Sequence, residues 1–364
     1  MTWLLIFLGF SALIVLHEAG HFVAAKATGM RVERFFLFFP PKLVSVRRGE
    51  TEYGIGAIPA GGFVKISGMN PDEELPPEAA GRGYYDQPVW KRIVVIGAGP
   101  AVNIVLAFAI LFLVFWFGAE RGTQTVGEIS PGTPAAQSLR PGDRILAVDG
   151  KSLPRLGEAE RRVRFAELVA SHECAREPRD GCIAASTATL RIERDGRVRT
   201  IALRPEYDAG LKRTRLGFAY GTEPADLSAS GAASEAADLM WRVTSGTVTV
   251  FSRLFEEERR KEVSGIVGVS ATADQVIDEF GAKESLLLLA VVSLSLGLIN
   301  LFPFLPLDGG HIFWSLVEKV RRKPVPFSVM ERAGAVGFVL VIMLFFLGLT
   351  NDIDRLTGEG FGVR

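Results

Sequence analysis

The sequence predicts a polytopic α-helical membrane protein with four transmembrane helices, an inserted extracytoplasmic β-rich domain and a β-hairpin loop on the cytoplasmic side. Three observations carry that prediction. The 364 residues are 48% hydrophobic with positive mean hydropathy, and the apolar residues gather into runs rather than spreading at core density. Two of the three connections between those runs carry ten and five Lys and Arg, and none precedes the first run. The third connection, Ala119 to Lys283, holds short alternating apolar stretches between turn signals. Basic and acidic residues balance at 41 each, so the charge gives no support to nucleic-acid binding.

The first run, Trp3 to Ala25, has no basic stretch ahead of it and no small-residue cleavage site behind it. Lys26 and Arg31 follow instead, so it reads as a retained transmembrane helix rather than a signal peptide. The second, Ile93 to Gly118, is long enough to span with tilt. The third, Leu286 to about Val317, is interrupted by Pro303 and Pro306, and the fourth, Gly334 to Leu349, is near the lower length limit for a span. Ten Lys and Arg, from Lys26 to Arg92, lie between the first two runs, five lie between the last two, and none precedes the first. By the positive-inside bias both termini lie outside, as does the long central domain, which is large enough to escape that bias. The expected divisions are 1–118, 119–225, 226–284 and 285–364.

In the first inner loop, "TEYGIGAIPAGGFVKISG" (51–68) reads as two short β runs joined at Pro59 to Gly62. An edge of such a hairpin can pair with an extended strand, making Gly54, Ile55 and Gly56 candidate substrate contacts. The alternative is a hairpin that only covers the cytoplasmic face. In the central domain, "TVGEISPGTPAAQSLRPGDRILAVDGKSL" gives a β run at Val126 to Ile129, a short helix at Pro134 to Leu139 and a second run closed by Asp149-Gly150. Further strands are expected at Ala188 to Glu193 and Arg199 to Arg204. This pattern resembles a bacterial PDZ domain over roughly residues 122–220, which implies binding of peptide termini. The charged stretch 155–187 reads as an insertion in it. That stretch carries both cysteines, Cys174 and Cys182, which in an outside domain can pair as a disulfide or, with His172, hold a metal. The following "AADLMWRVTSGTVTVFSRLFEEERRKE" spaces its apolar residues helically, as a helix at the membrane surface or a linker helix packed on the domain.

The chemistry starts at His17-Glu18-Ala19-Gly20-His21. Two imidazoles at i and i+4 share one helix face, and that geometry suits a zinc ion held by His17 and His21 with Glu18 beside it as a base. Ionisable residues at membrane depth cost about 2.5 to 3.5 kcal/mol each on insertion scales and mark functional sites; the competing reading is a polar cluster that only holds helices together. A third ligand is needed for catalytic zinc. The next intramembrane candidates come in "SLGLINLFPFLPLDGGHIF", where the prolines break the helix and free Asp308 to turn toward a partner. His17 lies fourteen residues past Trp3, about 21 Å along a helix, so both it and Asp308 sit toward the inner side and can converge. His311 is a further possible donor, and Asn103 is a candidate substrate contact that could hydrogen-bond across helices near the site, or a plain packing residue.

These motifs together resemble the site-2 protease family of intramembrane zinc metalloproteases, and within it the regulator of sigma-E protease-like branch with a PDZ insert. The matching residues are His17-Glu18-Ala19-Gly20-His21, Gly99-Pro100-Ala101-Val102-Asn103, and Asn300, Pro303 and Leu307-Asp308-Gly309-Gly310. The resemblance implies Zn2+ held by His17, His21 and Asp308, Glu18 as general base and Asn300 as a polar group near the substrate. It implies a membrane-associated β loop that contacts substrate, and single-span membrane proteins as substrates, such as pre-trimmed anti-sigma factors or remnant signal peptides. The location it implies is the bacterial cytoplasmic membrane, in contact with lipid. Pro306 stands one position later than is common in bacterial members, and Ile266 in "SGIVGV" (264–269) replaces a frequent proline. Two other function classes fit parts of the pattern: a metal transporter using the intramembrane His and Asp, and an inactive PDZ-bearing membrane scaffold.

Overall fold

Four helices are long and apolar enough to cross a membrane, at Ile6–Ala27, Val89–Gly118, Ala282–Asn300 and Phe327–Asp354. They belong to a computed structural model that describes residues 2–70, 73–153, 158–253, 256, 268 and 282–357. The chain divides into two compact units, Met1–Phe117 with Ser228–Arg364, and Gly118–Leu227.

In the first unit, α1 (Thr2–Ala27) and α2 (Val89–Gly118) fold from the first two apolar runs. Between them β1 (Val32–Arg48) and β2 (Thr51–Ile66) form a bent sheet. The expected turn at Pro59 to Gly62 is a bend inside β2; the turn between the strands is Gly49-Glu50. Glu33 lies in β1 and accepts from Ser67. Both strands fold over, so residues 32–37 lie in the middle of the sheet: Phe35 is opposite both Val64 and Tyr53, and Phe36 opposite both Phe63 and Gly54. Phe36, Phe63 and Phe39 stack along this sheet. The β turn is tied back to α1 through Glu50, which pairs with Lys26 and accepts from both terminal nitrogens of Arg82 at 2.8 and 3.0 Å. Ala25, Met30, Val32, Ile66, Tyr84, Val95 and Ile96 form the core where α1, the sheet and the start of α2 meet.

The third apolar run is broken as its prolines predict. A helix covers Ala282–Asn300, the chain turns irregularly over 301–307, and a second helix starts at Asp308 and ends at Arg321. With α4 (Ala229–Ser252) numbered first, these are α5 and α6, and Phe327–Thr357 is α7. At 31 residues, α7 is well above the lower length limit expected of it, because its helix continues through polar residues at both ends. Gly309 and Gly310 let the first turn of α6 rest directly on the main chain of Leu301 to Leu305, and Gly337 of α7 gives the same close approach to Leu305 from the other side. The amphipathic α4 packs Ala236, Leu239 and Met240 against Leu111 of α2 and Leu287 and Ala290 of α5. Apart from 256 and 268, residues 254–281, and with them nearly all of 264–269, lie outside the described residues.

The second unit is β-rich. Strands β3 (Glu120–Ile129), β4 (Arg144–Val148), β5 (Lys151–Ser152), β6 (Ala188–Arg194), β7 (Arg197–Leu203) and β10 (Phe218–Pro224) make a six-stranded sheet in the order β10-β3-β4-β6-β7, with β5 on β4. A separate pair, β8 (Glu206–Asp208) and β9 (Arg213–Arg215), completes the strands. Helix α3 (Glu158–Ala170) packs Phe165, Leu168 and Val169 into the core with Val126, Ile145, Leu190 and Leu203, so residues 158–170 are part of this core and not an insertion added to it. Residues 154–157 lie outside the described residues. Cys174 and Cys182 are joined in a disulfide, and His172 is bonded to Asp149 and Ser186 at 2.7 Å each. These three residues therefore make no metal site. Buried Asp143 accepts from Arg194 twice, at 2.6 Å, and from the main-chain N–H of Arg140 at 2.8 Å. Burial alone would raise its pKa, but these donors outweigh burial and hold the carboxyl below the usual carboxylate range.

The Glu50 cluster makes the first testable prediction. The guanidinium of Arg82, then the ammonium of Lys26, hold the Glu50 carboxyl down at about 2. Its contribution is complete above the ordinary Glu value and is lost as pH falls toward 2. Glu50→Gln is expected to cost about 1.5–3 kcal/mol at pH 7, the range for hydrogen bonds to charged groups. Thermal unfolding of wild type and variant in detergent between pH 7 and pH 3 should converge as the pH is lowered; a constant gap would contradict the assignment.

Candidate metal centre

His17 and His21 are one turn apart on α1 and point their Nε2 atoms at each other across 3.2 Å. The orientation of His21 is set from α2: its Nδ1–H donates to the Val95 carbonyl at 2.9 Å. Pro100, which has no N–H to give the carbonyl four residues before it, lies in the same stretch of α2. The two rings need room on the α2 side, and Gly99 supplies it. A Cβ at Gly99 would run into His21 Nε2 and sit 2.9 Å from His17 Nε2. Gly20, between the histidines, lets α1 lie against the Ala98 carbonyl in the same way.

Asp308 arrives from the other end of the chain, 291 residues after His17. It occupies the first turn of α6, where the helix dipole favours a carboxylate. Its Oδ2 is 3.1 Å from His17 Nε2 and 3.3 Å from His21 Nε2. The three donor atoms thus form a triangle with sides of 3.1, 3.2 and 3.3 Å. Donors about 2.0–2.1 Å from a tetrahedral zinc ion lie about 3.3 Å from one another, so the triangle fits zinc, and three protein donors leave the fourth position that catalytic zinc keeps open. Among the described residues this is the group of His, Cys, Asp and Glu side chains able to hold a metal.

Glu18 is adjacent to this triangle but outside it. Its side chain lies against Gly62, where a Cβ would be 3.0 Å from Glu18 Cγ, and its carboxylate accepts from the main-chain N–H of Val64. The edge of the sheet formed by residues 62–66 is therefore beside Glu18. Gly54, Ile55 and Gly56 are elsewhere in the sheet. Gly54 lies between Phe36 and Ser45, Ile55 between Leu37 and Val44, and Gly56 is paired with Lys42. Their main chain is engaged within the sheet, which corrects the expectation that they offer an open edge.

The remaining candidates fall around the centre. Asn300 ends α5 and donates from Nδ2 to the Leu296 carbonyl at 3.0 Å. Asn103 is fully buried in α2, with its Cβ next to Gly297 of α5 and its main-chain carbonyl accepting from Ser293 at 2.9 Å. Its side-chain amide makes no hydrogen bond in this arrangement, with both its oxygen and its nitrogen buried. His311 is not part of the metal-holding group.

With this geometry in view, comparison with known proteins decides the family. The model of peptidase family M50 matches residues 5–344. The chain belongs to peptidase family M50, the site-2 protease family. Relatives include Rip1, a zinc metalloprotease of Mycobacterium bovis (strain BCG / Pasteur 1173P2), 29% identical over 93% of this chain and 94% of Rip1. The metalloprotease MmpA of Caulobacter vibrioides is 27% identical over 95% of this chain and 93% of its own length. A provisionally named zinc metalloprotease of Rhizobium meliloti (strain 1021) is 29% identical over 95% of this chain and 94% of that protein. This M50 peptidase is a multi-pass zinc metalloprotease of the intramembrane type.

The Val95 carbonyl and the Val64 N–H were not singled out from the sequence, and Gly99 and Gly62 were named there without the close approaches they make at the centre. Only the glycines leave a sequence signal, since a glycine inside a helix or strand is costly and marks close approach. Gly99→Ala is expected to weaken zinc retention about tenfold or more, because the added methyl occupies space beside both Nε2 atoms. Metal analysis of purified variant and wild type after dialysis against a weak chelator checks this; equal retention would mean the rings move aside freely.

Proposed function

We propose that this M50 peptidase cleaves single-span membrane proteins within their apolar segments, near the cytoplasmic face of a bacterial cytoplasmic membrane. The observation that carries the reading is the His17, His21 and Asp308 triangle built on apolar helices with Glu18 and a sheet edge beside it. His17, His21 and Asp308 hold zinc. When bound, zinc supplies Lewis acidity toward a peptide carbonyl and lowers the pKa of a water molecule toward neutrality. Glu18 takes a proton from the attacking water and returns it to the leaving amine, held in place by the Val64 N–H. Asn300 retains a second amide hydrogen with which to orient the substrate main chain.

A peptide bond in an intact helix is closed off by its neighbouring turns, so the substrate has to be extended before attack. The edge at 62–66 offers main-chain groups for that extended segment beside Glu18. The loops rich in Lys and Arg face the cytoplasm, leaving both termini and the β-rich unit outside. The β-rich unit is PDZ-like and engages peptide termini exposed by an earlier cut, or excludes substrates that are still uncut. Pre-trimmed anti-sigma factors and remnant signal peptides are substrates of the right kind.

Two expected outcomes test this reading. Against a panel of single-span substrates in detergent, Glu18→Gln should lower cleavage by about 10²–10⁴-fold, the usual range for a general base, while bound zinc stays equal to wild type. Retained cleavage would remove Glu18 from the chemistry, and absence of cleavage by both proteins across a broad panel would favour a transporter or scaffold. Separately, replacing residues near the scissile bond of a cleaved substrate with Gly should raise kcat/KM, because the helix unwinds more easily; an unchanged rate would show that unwinding does not limit cleavage.

A further inference from the structure

Asp308 begins a helix whose connection to α5 is irregular over 301–307, so α5 cannot position it as one rigid rod. The other end of α6 is anchored differently. Arg92, near the start of α2, is 3% exposed and binds Glu318 in a two-pronged pair: NH1 to Oε2 at 2.9 Å and NH2 to Oε1 at 2.6 Å. The guanidinium also lies over the rings of Tyr84 at 5.9 Å and Tyr85 at 5.2 Å, which leaves it little freedom to follow Glu318 elsewhere. Between the two anchors Ile312 of α6 packs against the core that includes Val95 and Ile96 of α2, with its Cδ1 next to Gly97.

Arg92, Val95 and Gly99 are spaced three and four residues apart and therefore share one face of α2. Val95 orients His21, and Gly99 makes room for both imidazoles. We infer that Arg92 is a positioning residue for the metal centre, gripping Glu318 so that α6 delivers Asp308 to the two histidines held by the same face of α2. Glu318 is ten residues past Asp308, about 15 Å along the helix, so a small tilt at the clamp is a shift of the carboxylate comparable to the tolerance of a metal ligand. A planar fork on both partners fixes direction as well as distance, which a lysine at position 92 would not.

The inference rests on His17, His21 and Asp308 being the ligands, and the test keeps the two apart. Full-length apo protein in detergent is titrated with Co2+, following the visible absorption of the bound ion and its apparent Kd by chelator competition. Arg92→Lys and Glu318→Gln are each expected to weaken binding about tenfold and to alter the absorption band, in the manner of an outer-sphere partner of a ligand. In an Asp308→Ala background the same substitutions are expected to change nothing further, since the residue they position is gone. Equal weakening in both backgrounds, or no weakening in either, would overturn the inference. The Arg92→Met/Glu318→Met double variant removes both buried charges together and so guards against simple misfolding. It should keep the thermal stability of the apo protein while still losing Co2+ affinity; recovered affinity would also overturn the inference. If His17→Ala binds Co2+ as wild type does, the ligand assignment itself is wrong, whatever the clamp variants show.

Discussion

Three polar donors from two distant parts of the chain have to meet within about 3.3 Å of one another inside a bundle of apolar helices, the spacing that a tetrahedral zinc ion requires. Each of them loses water on burial, so each needs a partner or a compensating field. Asp308 has the dipole of α6, His21 has the Val95 carbonyl, and all three have the ion that their geometry fits. Much of the membrane unit can be understood as the set of helix contacts that makes this meeting possible. Small residues stand where main chains must approach: Gly20 and Gly99 between α1 and α2, Gly297 between α5 and α2, and Gly309 and Gly310 where α6 folds onto the 301–307 turn.

Helix α2 carries an unusual share of this work. It is long and apolar enough to span, and its C-terminal half packs Leu111 in a core with α4 and α5. Its N-terminal half presents a face that orients a ligand, clears space for two rings and grips the helix that carries the third ligand. Pro100 falls in the same stretch, where an ideal helix would direct every carbonyl to its own fourth neighbour. The sheet completes the enclosure from the α1 side, because its bend at Gly61 and Gly62 brings residues 62–66 up to Glu18 without a side chain in between.

What was legible in the sequence was local. The His17 and His21 spacing is a property of one helical turn, and the proline-broken third run showed its interruption directly, so both appear in the structure where expected. Asp308 was reachable by depth along two apolar runs. The turn of the β loop was misplaced because Pro59 to Gly62 is a strong turn signal while Gly49-Glu50 is a weak one. The strand that pairs with 51–58 lies in a phenylalanine-rich stretch lacking clean alternation. Helix α3 was hidden by its many charges, although Phe165, Leu168 and Val169 carry the three- and four-residue spacing of a buried face. The Arg92 and Glu318 pair spans 226 positions, and nothing in the local pattern of either residue announces the other.

The placement of these features bears on how a helical substrate could be cut. Extending a transmembrane segment frees main-chain N–H and C=O groups at membrane depth, each costing several kcal/mol if left unpaired. A protease that works there has to offer groups to replace the lost turns at the place where the bond is to be broken. In this structure the irregular main chain of 301–307 and the sheet edge at 62–66 both lie next to residues of the metal centre, while the helices otherwise satisfy their own hydrogen bonds. On the proposed function this coincidence has a physical reason: the groups that bind an extended segment and the groups that cleave it are set side by side, so that the cost of unwinding is met only where hydrolysis can follow.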